Sequence, residues 1–445
     1  TIKVDVLVDG LSFPTSMAFV GNNSILVLEK DSGNVRLVSN GALQKDPIYT
    51  VKNISNEKEQ GLLGIAVLID QKSKKENSSK NFSLNLSTSA ITGIHRSSSS
   101  DRQITNDFYY KVYLFFTEKI LGPNTSYDGL EDNSNNMTRN RVYEYDWSGN
   151  DDDHLSNPKI LLDMPGLPGP YHNGGKIHVD NHGNLYTVIG DLVTINNTLQ
   201  NYPGGKNKSI AIPNNSSVII RVNPLVESLI PKDNPFYSSY SNNSILESAK
   251  YYYSYGIRNS FGMDTDPITG KLWNTENGEN YYDEINLVSP GFNSGWYKIV
   301  GPANRNNDTS ISDLISLNGS YYSDPEFSWR LPVGLTDIEF LESSTLGKDL
   351  ENNIFVGDIN NGYLYFFKIN SSRSGIDIYN SILTNEKESG YGLEDLVADN
   401  KDELEKIIFA RGFDGRITDI ETGMDGNLYI LSYFGGKIYK ITSQT

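Results

Sequence analysis

The chain of 445 residues carries 55 acidic against 38 basic side chains, a formal charge of −17, and no cysteine. That charge argues against nucleic acid or an anionic membrane as the main partner, since both would repel it, and the missing thiols exclude disulfides and cysteine chemistry. A hydrophobic content of 37%, with no apolar run of about 18 residues, predicts a globular chain without a transmembrane helix. Asn-x-Ser/Thr triplets begin at Asn53, Asn77, Asn85, Asn124, Asn207, Asn307, Asn318 and Asn370. In an exported protein these are glycan acceptors, and the expected location is extracellular or in the cell envelope. The first residue is Thr1, as expected of a mature or trimmed product.

Helix signals are weak. Short apolar runs punctuated by Asn, Asp and Gly, with 28 Tyr and 39 Gly, predict an all-β chain. An N-terminal strand is expected at 2–8. One unit of an apolar strand, a polar turn, a second strand and a third then recurs. Its copies fall at residues 16–20, 24–29 and 33–38; at 61–67, 112–117 and 141–145; and at the hairpin before Asp191, completed by 218–222. Three more fall at 261–264, 271–276 and 283–288; at 336–340, 353–358 and 362–366; and at 417–420, 426–431 and 435–441.

Six such units predict one six-bladed β-propeller of four-stranded antiparallel blades spanning 1–445, because radial stacking buries sheet faces that each unit alone leaves bare. The strand at 2–8 is expected to pair into the last blade and close the ring. Two polar excursions, near 71–107 and 122–140, are expected as surface insertions.

Propellers present function on loops at one end of the channel. A Gly- and Pro-rich turn presents His172, and the following hairpin returns at Asp191. A carboxylate next to an imidazole fixes its tautomer and orientation. Loops of other blades bring Glu59-Gln60, Arg258-Asn259, the stretch 275–286, Trp329, Asn360 and Arg416. Two arginines and several amides at one channel mouth make an anion-friendly pocket.

The motifs Gly61-Leu62-Leu63-Gly64, His172-Asn173-Gly174-Gly175 with Gly190-Asp191, Gly256-Ile257-Arg258-Asn259, Asp283-Glu284-Ile285-Asn286 with Gly295-Trp296, and Arg416 before Asp419 together resemble the glucose/sorbosone dehydrogenase family. Its members include soluble quinoprotein glucose dehydrogenases and aldose sugar dehydrogenases. The resemblance implies oxidation of an aldose at its anomeric carbon to the lactone, with pyrroloquinoline quinone (PQQ) held by calcium and an external electron acceptor. It implies His172 as general base, Asp191 as its orienting carboxylate and Arg258 beside the reactive quinone carbonyl. Gln60, Asn259, Asn360 and Arg416 become cofactor contacts, and Tyr171 and Trp329 substrate contacts. The backbone carbonyls of Gly278 and Glu279 would hold the cofactor calcium, and Asp283 with Glu284 a structural calcium pair.

The chain departs from the glucose dehydrogenase pattern. Asn360 stands for a cofactor-binding Lys, Thr418 for a second Arg, Tyr171 for an Asp, and Asn277-Gly278-Glu279 for Gln-Gly-Pro. Losing the Lys weakens capture of an anionic cofactor, which leaves a non-catalytic extracellular propeller binding a protein or glycan as the alternative. A metal-dependent lactonase on the same fold ranks behind both, since it needs carboxylates converging on one ion.

Overall fold

The computed structural model describes residues 2–21, 23–69, 110–120, 137–150, 152–195, 197–202, 214–238, 244–382 and 392–443. They form six sheets, each built on antiparallel strands in sequence order. Blade 1 runs Pro14–Val20, Ser24–Glu29, Asn34–Ser39, with two short outer pairings. Blade 2 is Leu62–Ile69, Tyr110–Ile120, Met137–Trp147 and Ser156–Pro165, and blade 3 is Ile177–Val179, Leu185–Ile189, Val218–Val222 and Tyr252–Tyr255. Blade 4 is Gly262–Thr265, Leu272–Glu276, Asp283–Val288 and Phe327–Trp329, with Val397–Ala398 added parallel at its edge. Blade 5 is Leu335–Phe340, Ile354–Asp358 and Tyr363–Ile369, whose last strand pairs with both Ile376–Asp377 and Ile408–Arg411. In blade 6, Ile417–Thr422, Leu428–Ser432 and Lys437–Ser443 are joined by the N-terminal strand Ile2–Val8.

That last pairing closes the ring. Ile2 faces Ser443 and Val4 faces Ile441 in antiparallel register, so the two ends of the chain hold one sheet together, with Ile2–Val8 as its exposed outer strand. The first strand of each blade touches the first strand of both neighbours all the way round, which places these six strands around a central channel.

Six apolar clusters pack the six blade junctions. Leu26 and Leu37 of blade 1 meet Leu62 and Val112 of blade 2, and Met17 and Ile25 meet Leu431 and Ile438 of blade 6. The other four junctions are filled in the same way. The core is therefore distributed between blades, and each strand reads apolar because both faces are covered. Burying one such Val, Leu or Ile contributes roughly 1.5–3 kcal/mol.

The excursion expected at 71–107 lies outside the described residues, as does 121–136. The second excursion was expected to reach residue 140, but strand Met137–Trp147 already includes residues 137–140, paired with Ile120 through Thr117. Their polar side chains are used within the blade. Thr117 Oγ1 donates to Asn140 Oδ1 at 2.7 Å, and Arg139 Nε to Asp163 at 2.9 Å. A strand whose polar residues bond one another looks like a loop when only composition is read.

Candidate active site

The loops that precede the inner strands gather at one mouth of the channel. His172 sits in the left-handed region at φ +60, a conformation of modest cost for a non-glycine residue that must be held from outside. Glu59, from the loop before blade 2, holds it: Glu59 Oε2 accepts the His172 backbone N–H at 2.6 Å. The same oxygen accepts Asn259 Nδ2 at 3.0 Å, so one carboxylate ties blades 2, 3 and 4 together.

The hairpin brings Asp191 back to the imidazole. His172 Nδ1 lies 2.5 Å from Asp191 Oδ1. Asp191 also accepts Val193 N at 2.8 Å and Trp296 Nε1 at 2.9 Å. Three donors converge on this carboxylate, so its oxygens act only as acceptors and the imidazole proton belongs on Nδ1. Nε2 then keeps its lone pair. Gly190 makes the approach possible, because a Cβ there would lie 2.5 Å from both the His172 and Arg258 carbonyl oxygens.

Arg258 is fixed from three sides. Its N–H donates to Glu276 Oε1 at 2.7 Å, and Nη1 donates to the carbonyls of Asn277 at 3.0 Å and Gly278 at 2.9 Å. The guanidinium lies 5.4 Å above the Trp296 ring, a favourable cation–π distance. Arg258 Nε and Asn259 Oδ1 are buried and have no hydrogen-bond partner among the described residues. Beneath Arg258, burial pushes the Glu276 carboxyl up to about 7. Burial, and then Glu276 beside it, holds Glu284 well above the usual carboxylate range.

The structure thus joins His172, Asp191, Arg258 and Asn259 in one bonded constellation. Tyr171 is 41% exposed next to it. Asn360 and Arg416 are exposed on the neighbouring loops of blades 5 and 6, with Arg416 stacked 4.5 Å over Phe434. Glu279 is exposed, and the Gly278 carbonyl already accepts from Arg258, leaving its second lone pair.

Three expected residues fall elsewhere. Gln60 is buried, its Oε1 accepting Ser55 Oγ at 2.7 Å and its Nε2 reaching Thr138 Oγ1 at 3.4 Å. It braces blade 2, and its neighbour Glu59 faces the site, since successive side chains of a loop point different ways. Trp329 is 1% exposed between Phe327, Tyr365 and Phe367 at the blade 4–5 junction and touches no channel mouth. Asp283, expected at a calcium, is engaged by backbone donors instead. Its oxygens accept the N–H groups of Gly278, Val333, Gly334 and Leu335 at 2.7–3.4 Å, which use its lone pairs. Glu284 accepts Gly301 N at 2.5 Å and Asn286 Nδ2 at 3.3 Å.

Glu59, Trp296 and Glu276 were given no role from the sequence. Each stands in a loop or motif quoted above, but which member of it turns inward is a property of the folded loops.

A six-bladed ring carrying a histidine–carboxylate pair beside arginines at one channel mouth defines a propeller with a polar small-molecule site. The family model for glucose/sorbosone dehydrogenase matches residues 11–77 and 101–440, and the chain belongs to that family of sugar oxidoreductases. The aldose sugar dehydrogenase of Escherichia coli is 22% identical over 99% of this chain and 93% of its own length. Quinoprotein glucose dehydrogenase B of Acinetobacter calcoaceticus is 25% identical over 66% of this chain and 52% of its own. The soluble E. coli enzyme in its apo form superposes with a TM-score of 0.63 at 20% identity, covering 100% of both chains. The PQQ-bound aldose sugar dehydrogenase of Streptomyces coelicolor gives 0.60 at 18%, covering 99% of this chain and 98% of that one.

Proposed function

We propose that the protein oxidises aldoses at the anomeric carbon to the lactone, using PQQ and calcium and passing electrons to an external acceptor. The observation that carries the reading is the His172–Asp191 pair, with Nδ1 committed to the carboxylate at 2.5 Å and Nε2 left to take a proton. Family membership and the PQQ-bound relative from S. coelicolor support it.

The residues present fit the cofactor. PQQ is a tricarboxylate, and the mouth offers it cationic donors in Arg258, whose Nε has no partner among the described residues, and in the exposed Arg416, while Asn259 Oδ1 is a spare acceptor for the cofactor's pyrrole N–H. Arg258, Asn259, Asn360 and Arg416 would hold it, and the remaining lone pairs of the Gly278 and Glu279 carbonyls would hold calcium, a cation that takes oxygen ligands. When bound, PQQ supplies the two-electron acceptor for hydride from the sugar. His172 removes the proton of the anomeric hydroxyl at Nε2. Asp191 keeps the tautomer and stabilises the imidazolium that results. Glu59 and Gly190 hold the His172 backbone in its left-handed turn, and Tyr171 borders the space a sugar ring would enter.

The test is titration of the apo protein with PQQ at millimolar calcium, followed by dye-linked turnover with aldoses. Saturable PQQ binding, with turnover lowered roughly 10²- to 10⁴-fold in His172→Ala, is expected. Absence of PQQ binding would remove the reading in favour of a binding propeller. We also propose export and N-glycosylation, since Asn53, Asn307 and Asn318 are exposed. A glycosidase-sensitive mass shift in the native protein checks this.

A further inference from the structure

Arg258 and the loop at Asn277-Gly278-Glu279 meet through one guanidinium nitrogen. Nη1 donates to the Asn277 carbonyl at 3.0 Å and to the Gly278 carbonyl at 2.9 Å. The loop is pinned, so its carbonyls keep their direction. Asn277 N donates to the Asn259 carbonyl at 2.8 Å, Asn277 Nδ2 to the Leu335 carbonyl at 2.9 Å, and Gly278 N to Asp283 Oδ1 at 3.0 Å. A Cβ at Gly278 would lie 2.0 Å from the Tyr281 carbonyl oxygen, so the loop is closed on that side as well.

The charge of Arg258 is not matched there. Nη1 faces neutral carbonyls, the guanidinium faces the Trp296 ring at 5.4 Å, and the buried Nε has no partner among the described residues. Glu276 gives its oxygens to the Arg258 backbone N–H at 2.7 Å and to Ser294 Oγ at 2.5 Å. A half-buried guanidinium with a spare N–H is a seat for an anion, because it adds charge to a directed hydrogen bond.

The Gly278 oxygen is therefore claimed twice. One lone pair holds Nη1, and the other is the one that the cofactor reading gives to calcium. Calcium holds oxygens at about 2.3–2.6 Å, so an ion on that second lone pair stands roughly 4–5 Å from Nη1. At that range, in a half-buried loop, the two cations repel with little screening by solvent. An anion that touches both offsets the repulsion, and a tricarboxylate is such an anion.

We propose that Arg258 makes calcium binding at the Gly278 and Glu279 carbonyls conditional on the anionic cofactor. The guanidinium holds calcium off when the ion comes alone, and PQQ and calcium bind cooperatively. The inference rests on the cofactor reading and adds the condition under which the ion is retained. The coupling is reciprocal, because whatever PQQ adds to calcium affinity calcium adds to PQQ affinity. Arg258 thus has a task besides its place beside the quinone: it keeps the ion site from filling without the cofactor.

The experiment is calorimetric titration of the metal-stripped full-length chain with calcium chloride, once without PQQ and once with PQQ at saturation. Arg258→Met and Arg416→Met are titrated without PQQ. Circular dichroism checks folding, and Arg258→Gln replaces Arg258→Met should the latter not fold. Expected is weak calcium binding by wild type alone, tightened by PQQ, with Arg258→Met alone binding calcium about 5- to 150-fold more tightly than wild type alone, the usual span of coupling between two sites. Arg416→Met removes an equal charge that stacks on Phe434 and should match wild type. Equal affinities of wild type and Arg258→Met for calcium alone, with PQQ still tightening the ion in wild type, overturn the proposal and leave the cofactor reading standing. An equal gain in Arg416→Met overturns it too, since the effect then belongs to the total charge of the mouth. No calcium bound by wild type even with PQQ removes the calcium reading itself, and the proposal with it.

Discussion

Replacing Asp191 by Asn changes one oxygen into an NH2 group, and the structure decides which. The carboxylate serves three donors: His172 Nδ1 at 2.5 Å and Val193 N at 2.8 Å on Oδ1, and Trp296 Nε1 at 2.9 Å on Oδ2. If the amide keeps oxygen toward His172, its NH2 confronts the buried indole N–H, at a cost of about 1–3 kcal/mol. If it keeps oxygen toward Trp296, the donor left over is Val193 N, beside a side chain that is 54% exposed, and water can serve it. The second arrangement therefore wins. It presents NH2 to the imidazole, moves the proton to Nε2 and removes the base. Turnover in a dye-linked aldose assay is expected to fall roughly 10²- to 10⁴-fold with PQQ affinity nearly unchanged, and the 15N shifts of His172 should report the exchanged tautomer. Trp296→Phe removes the buried donor and with it the bias. Added to Asp191→Asn it should restore activity by about 5- to 150-fold, the equivalent of about 1–3 kcal/mol. Wild-type turnover in Asp191→Asn, or a double variant no more active than the single, would refute this account.

Asp283→Ala orphans four backbone N–H groups of two loops and should lower unfolding free energy in urea by about 3–5 kcal/mol. Asp283→Asn, which keeps one oxygen, should cost much less; equal losses would deny the bracing role. Burial raises the Glu326 carboxyl from 4.5 to about 7, so the folded protein binds that proton more tightly than the unfolded chain. Its contribution to stability is complete below pH 4.5 and is lost as pH rises through 7. Glu326→Gln should therefore be more stable than wild type at pH 8, by at most about 3 kcal/mol, with the difference vanishing near pH 4; a constant difference would contradict the assignment. Gln60→Ala should lower Tm without altering PQQ affinity, whereas Glu59→Ala, which frees the His172 turn, should lower kcat at little cost in Tm.

The ring was legible in the sequence because strand periodicity, turn residues and repetition are local, and every blade repeats them. The pairing of residues 2–8 with the last blade followed from the same logic: an unpaired strand at one end and an open edge at the other. His172 and Asp191 could be matched because a hairpin joins them, so their separation is set by local register. Residues brought together through the ring were not so readable. Gln60 and Glu59 are adjacent in sequence, and only the packing of blades 2, 3 and 4 determines that Glu59 meets His172 and Asn259. Trp329 looked like a rim aromatic, but an aromatic ending an outer strand also fits a blade junction, and burial against Phe367 decided it. Asp283 shares a motif with Glu284, yet the loop at 333–335 arrives from the next blade and takes its oxygens. The carboxylates of the channel show the same limit. Asp337 and Asp419 come from different blades, and each is an ordinary strand residue until ring closure places both within 2.8 Å of Lys176 Nζ. Sequence determines what each blade is, because blade formation depends on neighbours along the chain. Tertiary structure decides what the channel holds, because its contents come one residue at a time from strands that only closure brings face to face.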